Sequence, residues 1–347
     1  MSKTMRAYQL REAGKMPQVV EVPLPEPRPG QVRLRTAGAG LCHSDFLVFN
    51  ANPSYYPLPM TMGHEATGWV DAVGSGVEGL TIGDAYGVYF AWGCGHCTPC
   101  ARGAENICHN ALGHPGFATG RDGGMADYIL VDSPRHLVPL GDADPIEAAP
   151  LMCAGITTYH AVEQAVGRLT PGTTATVIGI GGLGHIAIQI LKALTPARVI
   201  AVDTQPEKLE QARALGADLA LLSGPDTADA IRADTKGLGS NVVLDFVGNN
   251  PTLALGARIL GIAGLQEIVG VGGGTLPVNF FEFARDSSIT LPYAGTISDL
   301  RGVVSLFASG LVHPEVSQIS FDQLNETYEL MDSGKLKGRA VLVPALG

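Results

Sequence analysis

Apolar positions in the first part of the chain come in short runs cut by glycine and proline, at RAYQL, QVRLRTAGAG, GWVDAVG, ADYILVD and RHLVPL. Runs of this length and punctuation predict strands. Residues 5 to about 150 therefore read as a β-rich, barrel-like domain. From about residue 155 to 292 the period changes, and strand-like runs alternate with helical stretches as in parallel βαβ units. The strands fall at TATVIGI (174–180), RVIAVD (198–203), DLALL (218–222), NVVLDFV (241–247), QEIVGVG (266–272) and SITLPY (288–293). Between them, 183–194 is apolar on one face, and PEKLEQARAL (206–215) opens on Pro206, which suits the first turn of a helix. Together these predict a doubly wound parallel sheet. The tail, 293–347, carries a helix-like DQLNETYELMDSG and a strand-like RAVLVP, and is expected to pack back on the first domain.

At 347 residues the chain is long enough for two domains with full cores, at about 100–200 residues each. Hydrophobic residues make up 46% and charged residues 16%, the balance of a compact globular protein. A net charge of −10 supplies no broad basic field, so nucleic acid and anionic membranes are not expected partners. The opening MSKTMRAYQLREAGK lacks the apolar core of a secretory signal, and no run of 18 or more apolar residues follows. The expected location is the cytoplasm.

Gly179, Gly181, Gly182 and Gly184, with Leu183 among them, follow an apolar strand directly and open an apolar helix. In that context glycine lets the backbone approach a pyrophosphate, whose charge meets the free amides of the helix start. Asp203 ends the next strand, where a carboxylate can accept bonds from ribose hydroxyls and would repel a 2′-phosphate. The pair of features argues for NAD over NADP.

Four of the six cysteines, Cys94, Cys97, Cys100 and Cys108, crowd into one short loop rich in glycine and proline. Tetrahedral zinc in structural sites takes four such thiolates, and a closed four-sulfur shell leaves no place for substrate. This set is therefore expected to staple the loop, with His96 surplus to it. Redox pairs or free core thiols are the alternatives. Cys42, in GLCHSD, and His64, in MGHEATG, lie on glycine-flanked loops and are candidate metal ligands, although residues of these types standing alone are more often a core thiol and a surface or core histidine.

The segment GHEATGWVDAVGSGVEGLTIGD (63–84) resembles the signature of medium-chain, zinc-dependent alcohol dehydrogenases. The resemblance spans essentially the whole chain and includes the GLCHSD loop, the four-cysteine lobe, the glycine motif with its aspartate, and the closing KGRAVLVP. Among subgroups it is most similar to bacterial NAD-dependent secondary-alcohol dehydrogenases. It implies a GroES-like catalytic domain (1–154 and 293–347) interrupted by a Rossmann cofactor domain (155–292). It also implies a catalytic zinc on Cys42, His64 and Cys153, hence two zinc ions per subunit with the four-sulfur site. Three protein ligands leave an open position for the alcohol oxygen, and hydride passes to the nicotinamide.

By the same resemblance Ser44 takes the alcohol proton, Asp45 holds the far nitrogen of His64, and Glu65 sits behind the metal. Thr157 resembles a nicotinamide contact, Lys208 a ribose contact and Arg339 a pyrophosphate contact. Leu47 stands where liver-type members have a relay histidine, so the proton must leave by another route. His43 stands where they have an arginine beside the zinc cysteine, which makes cofactor affinity expected to fall as pH rises. Tyr55, Tyr56, Phe90, Trp92, Tyr293 and Ala294 could line a pocket for medium-sized apolar or aryl alcohols, aldehydes or ketones. His160 and His185 read as structural. A homo-tetramer is implied by analogy, with a dimer as the alternative. Competing readings are a polyol, threonine or aldehyde-directed dehydrogenase on the same scaffold, and a zinc-stapled NAD-binding regulator without turnover; the four-cysteine lobe disfavours a zinc-free quinone reductase.

Overall fold

Val32–Gly40 joins small and branched residues in nine consecutive extended positions, and the first unit is built around it. In the computed structural model, which describes residues 3–49, 58–110, 121–281 and 283–346, this strand pairs antiparallel with Glu65–Val73, Arg339–Leu342 and Tyr128–Val131. Ala85–Val88, Leu137–Pro139 and Val316–Ile319 complete a seven-stranded sheet. A smaller sheet joins Thr4–Leu10 to Gln18–Pro23 and Met60–Thr61. Inward-facing Tyr8, Leu41, Val48, Met62, Met125, Phe321 and Tyr328 pack into one core cluster, bringing both ends of the chain together.

The chain divides into two compact units: Met1–Ile156 with Thr296–Ser309 and Pro314–Gly347, and Thr157–Gly295 with Gly310–His313. The second unit holds six parallel strands in the order Leu219–Leu222, Arg198–Asp203, Thr174–Ile178, Ser240–Asp245, Leu260–Ile268 and Ser288–Thr290. The order reverses beside Thr174–Ile178, the switch point at which doubly wound sheets bind ligands. The helices expected at 183–194 and 206–215 form at Gly184–Leu194 and Pro206–Ala214.

One strand departs from its expected place. The run at 266–272 is strand only to Ile268, and the strand begins earlier, at Leu260. Beyond it, a Cβ on Gly270 would stand 2.3 Å from the Val247 carbonyl carbon and one on Gly272 2.5 Å from its oxygen. Glycine serves backbone contact here, not extension. Helices Asn250–Ile259 and Ile297–Ala308, which the apolar pattern did not isolate, each start in a reciprocal cap, Asn249 with Thr252 and Thr296 with Asp299.

Candidate metal centres and cofactor loop

Cys42 follows the strand Val32–Gly40, His64 immediately precedes and Glu65 opens the strand Glu65–Val73, and Cys153 sits between a 3-10 turn, Ala149–Met152, and the helix Ala154–Ala165. These four residues come from three stretches of chain, yet one donor atom from each lies within 4.8 Å of every other. Local backbone makes room for them. Gly63 adopts φ 100°, and a Cβ on Gly40 would stand 2.1 Å from Glu65 Oε2, so a side chain at 40 would displace the carboxylate.

Asp45 is fully buried, with Oδ1 at 3.2 Å from His64 Nδ1, which leaves Nε2 as the nitrogen for a metal. Burial alone would lower the His64 pKa, but contact with Asp45 and Cys42 holds it well above the ordinary histidine value. A hydrogen bond from Cys153 holds the Cys42 thiol well below the ordinary range, and Cys153 is raised in turn by the same bond. Burial pushes Glu65 up to about 8, against the opposing charge of Arg339. Arg339 bonds Glu65 Oε1, while Oε2, also buried, has no hydrogen-bond partner among the described residues. Two sulfurs, an imidazole and an unsatisfied carboxylate oxygen in a dry pocket are a donor set suited to zinc.

The other expected ligand set is local. Cys94, Cys97, Cys100 and Cys108 bring their sulfurs within 4.8 Å of one another, with Cys94–Cys100 at 3.9 Å and Cys97–Cys108 at 3.8 Å. All are free thiols. The Cys97 amide and the Asn110 side chain donate to Cys94 Sγ at 3.3 and 3.1 Å. Led by a backbone hydrogen bond near His96, such donors lower Cys94 to about 5. This set fits a closed tetrahedral zinc.

In the second unit Gly179 has φ 87°, and a Cβ on Gly184 would stand 1.9 Å from the Gly179 carbonyl oxygen. Gly181 faces open space, leaving its backbone approachable. Asp203 is buried, its Oδ2 accepting from the Ile180 amide at 2.7 Å and its Oδ1 from the Gln205 amide at 3.0 Å. Lys208 and Thr157 are half-buried in the same unit. His185 Nδ1 bonds the Gly181 carbonyl at 2.8 Å, a structural contact, and His160 pairs with Gln164.

Near the catalytic set, Ser44 is half-buried and His43 and Leu47 are exposed. The Phe90 ring lies 5.8 Å from that of His64. Trp92 faces the barrel core. It is buried in the barrel core, stacked on His136 at 4.8 Å, and borders a cavity of about 300 Å³ with Cys94, Arg121 and Arg135. Its neighbours there are those of the cysteine lobe. Tyr293 is partly exposed and Ala294 buried, both in the second unit; Tyr55 and Tyr56 lie outside the described residues. Two partners were not foreseen: Arg339 as the counter-ion of Glu65, and Tyr328, whose hydroxyl donates to Asp45.

Comparison with known proteins agrees with this geometry. Residues 28–142 match the alcohol dehydrogenase GroES-like domain and residues 182–309 the zinc-binding dehydrogenase domain. An NAD-dependent alcohol dehydrogenase of Sulfurisphaera tokodaii is 35% identical over 98% of this chain and all of its own length. A D-arabinose 1-dehydrogenase (NADP(+)) of Saccharolobus solfataricus is 33% identical over 94% of each. The crystal structure of the alcohol dehydrogenase from Aeropyrum pernix superposes with a TM-score of 0.90 at 36% identity, over 98% of this chain and all of that one. With relatives matching it from end to end and family models covering both units, the chain belongs to the zinc-binding alcohol dehydrogenases.

Proposed function

We propose that this enzyme interconverts a primary or secondary alcohol, medium-sized and apolar or aryl, with its aldehyde or ketone, using NAD as hydride acceptor. The buried convergence of Cys42, His64, Cys153 and Glu65 carries the reading. Zinc held there supplies a Lewis acid for the substrate oxygen. Cys42, His64 and Cys153 hold the ion, and Asp45 fixes the His64 ring. Arg339 restrains Glu65 behind the cluster. Ser44, half-buried two residues from Cys42, accepts the alcohol proton while passing its own through the ribose hydroxyl to water. The glycine loop 179–184 receives the pyrophosphate, and Asp203 retains lone pairs for the ribose after accepting its two amides. Thr157 and Lys208 add nicotinamide and ribose contacts.

Initial rates with zinc-replete protein, NAD or NADP, and a panel of primary, secondary and aryl alcohols test the reading. NAD reduction by at least one secondary or aryl alcohol is expected; no turnover with any member sinks it. D-arabinose belongs in the panel, because a relative named for that substrate shares the full scaffold. A homo-tetramer in the cytoplasm completes the proposal. No helix among the described residues is long and apolar enough to cross a membrane. Phe280 and Phe281, 87% and 91% exposed near the edge strand Ser288–Thr290, support self-association. Light scattering on the purified protein measures it.

A further inference from the structure

Asp45 Oδ2 accepts two hydrogen bonds, from the Cys42 amide at 3.0 Å and from the Tyr328 hydroxyl at 2.7 Å. The tyrosine has no part in the reaction proposed above. It comes from the tail helix Leu324–Asp332, 283 residues away in sequence, and is buried. Its ring is wedged by Tyr8, stacked at 6.2 Å, and by Phe46 and Phe49, edge-on at 5.7 and 5.1 Å. Burial first, and then the charge of Asp45, keep the phenol protonated far above the ordinary tyrosine range, so it donates. A short carboxylate side chain can turn either oxygen to a neighbour. Two donors on Oδ2 select the orientation that leaves Oδ1 at 3.2 Å from His64 Nδ1.

We propose that Tyr328 is a positioning residue for the catalytic metal centre, acting through Asp45 to hold His64 in the ring orientation and tautomer that metal binding requires. The inference rests on Cys42, His64 and Cys153 being the catalytic ligands. The phenol is rigid because its ring is packed on three sides, whereas a water at the same place would let the carboxylate rotate.

Tyr328→Phe keeps the ring and removes only the hydroxyl. Zinc-loaded protein is challenged with a chelator, and release is followed by a metal-sensitive dye. One of the two ions should leave about tenfold faster than in the parent, the low end of the effect of losing an outer partner of a metal ligand, while the other keeps its rate. The visible absorption of the cobalt(II)-substituted protein should shift as well. Asn325→Ala removes the acceptor of the Tyr8 hydroxyl, at 2.6 Å on the same helix, without touching Asp45. It should lower the melting temperature and leave release unchanged. In an Asp45→Ala background, which removes the acceptor altogether, Tyr328→Phe should add nothing to the release rate, because its route is already cut. Unchanged release and an unchanged cobalt spectrum in Tyr328→Phe, or full additivity with Asp45→Ala, overturns the proposal. Metal content separates this from a wrong ligand assignment: a Cys42→Ser protein that still holds two zinc ions refutes the ligands themselves, and the inference with them.

Discussion

Asp203 Oδ2 accepts the amide of Ile180 at 2.7 Å, so the carboxylate at the end of one strand pins the glycine loop that follows its neighbour. Under the proposed function, reading the ribose and shaping the glycine loop are therefore joined in one side chain. Asp203→Gly should lower kcat/KM with NAD by more than tenfold, through loss of both roles, and narrow the NAD preference. Asp203→Asn separates them, since the amide oxygen can still accept from Ile180 while the charge that repels a 2′-phosphate is gone. It should narrow the preference with a smaller loss of NAD activity, and Thr204→Arg added to it should favour NADP further. A wild-type preference for NADP, or a ratio unchanged in all three variants, shows that Asp203 does not select the cofactor.

Cys42→Ser and His64→Ala should reduce turnover by several orders of magnitude, as loss of one member of a catalytic unit does. NADH binding, read by fluorescence titration, should remain, because the glycine loop lies in the other unit. Turnover at the parent rate in a metal-checked variant refutes the centre.

The four-sulfur lobe makes a different demand. Elemental analysis of replete protein should give two zinc ions per chain, and Cys97→Ser should retain one. Opening that shell should cost several kcal/mol of stability, since a closed structural site is part of the folded state. An unaltered melting curve counts against a structural ion.

Glu267 is fully buried in the strand Leu260–Ile268, with Thr290 Oγ1 at 3.4 Å. Burial raises its pKa to about 8, against the pull of Thr290 and Arg168. Unfolded, it returns to the ordinary glutamate value of 4.5. Between those values the folded state holds a proton that the unfolded state has lost. Its contribution to stability is therefore present at low pH and falls as pH rises through the window, by up to about 1.4 kcal/mol per pH unit. Glu267→Gln should flatten urea-unfolding stability against pH relative to the parent, with the gap widening from pH 5 to 8. Parallel curves mean that the carboxyl titrates normally.

What could be read from residues alone was whatever the chemistry keeps local. The four lobe cysteines fall within fifteen positions and need only a loop to meet. Asp203 lies one strand beyond its glycines, a distance set by the βαβ unit itself. Tyr328 and Arg339 were different: their partners Asp45 and Glu65 are 283 and 274 residues away, and no period or spacing joins them. An aromatic in a loop such as Trp92 does not announce which side it packs on; the structure stacks one face of it on His136. The strand expected at 266–272 failed for a related reason, since the backbone contacts made by Gly270 and Gly272 involve Val247, on another segment.

The last strand, Arg339–Leu342, supplies the counter-ion of Glu65, and the helix just before it supplies the hydroxyl on Asp45. A nascent chain folding from its N-terminus has Cys42, His64 and Cys153 long before either arrives. Until residues 324–342 are made, Glu65 lacks its guanidinium and Asp45 its phenol. Synthesis thus orders assembly: the cysteine lobe can close early on its own local loop, whereas the Cys42, His64 and Cys153 set gains these two supports only after residues 324–342 emerge.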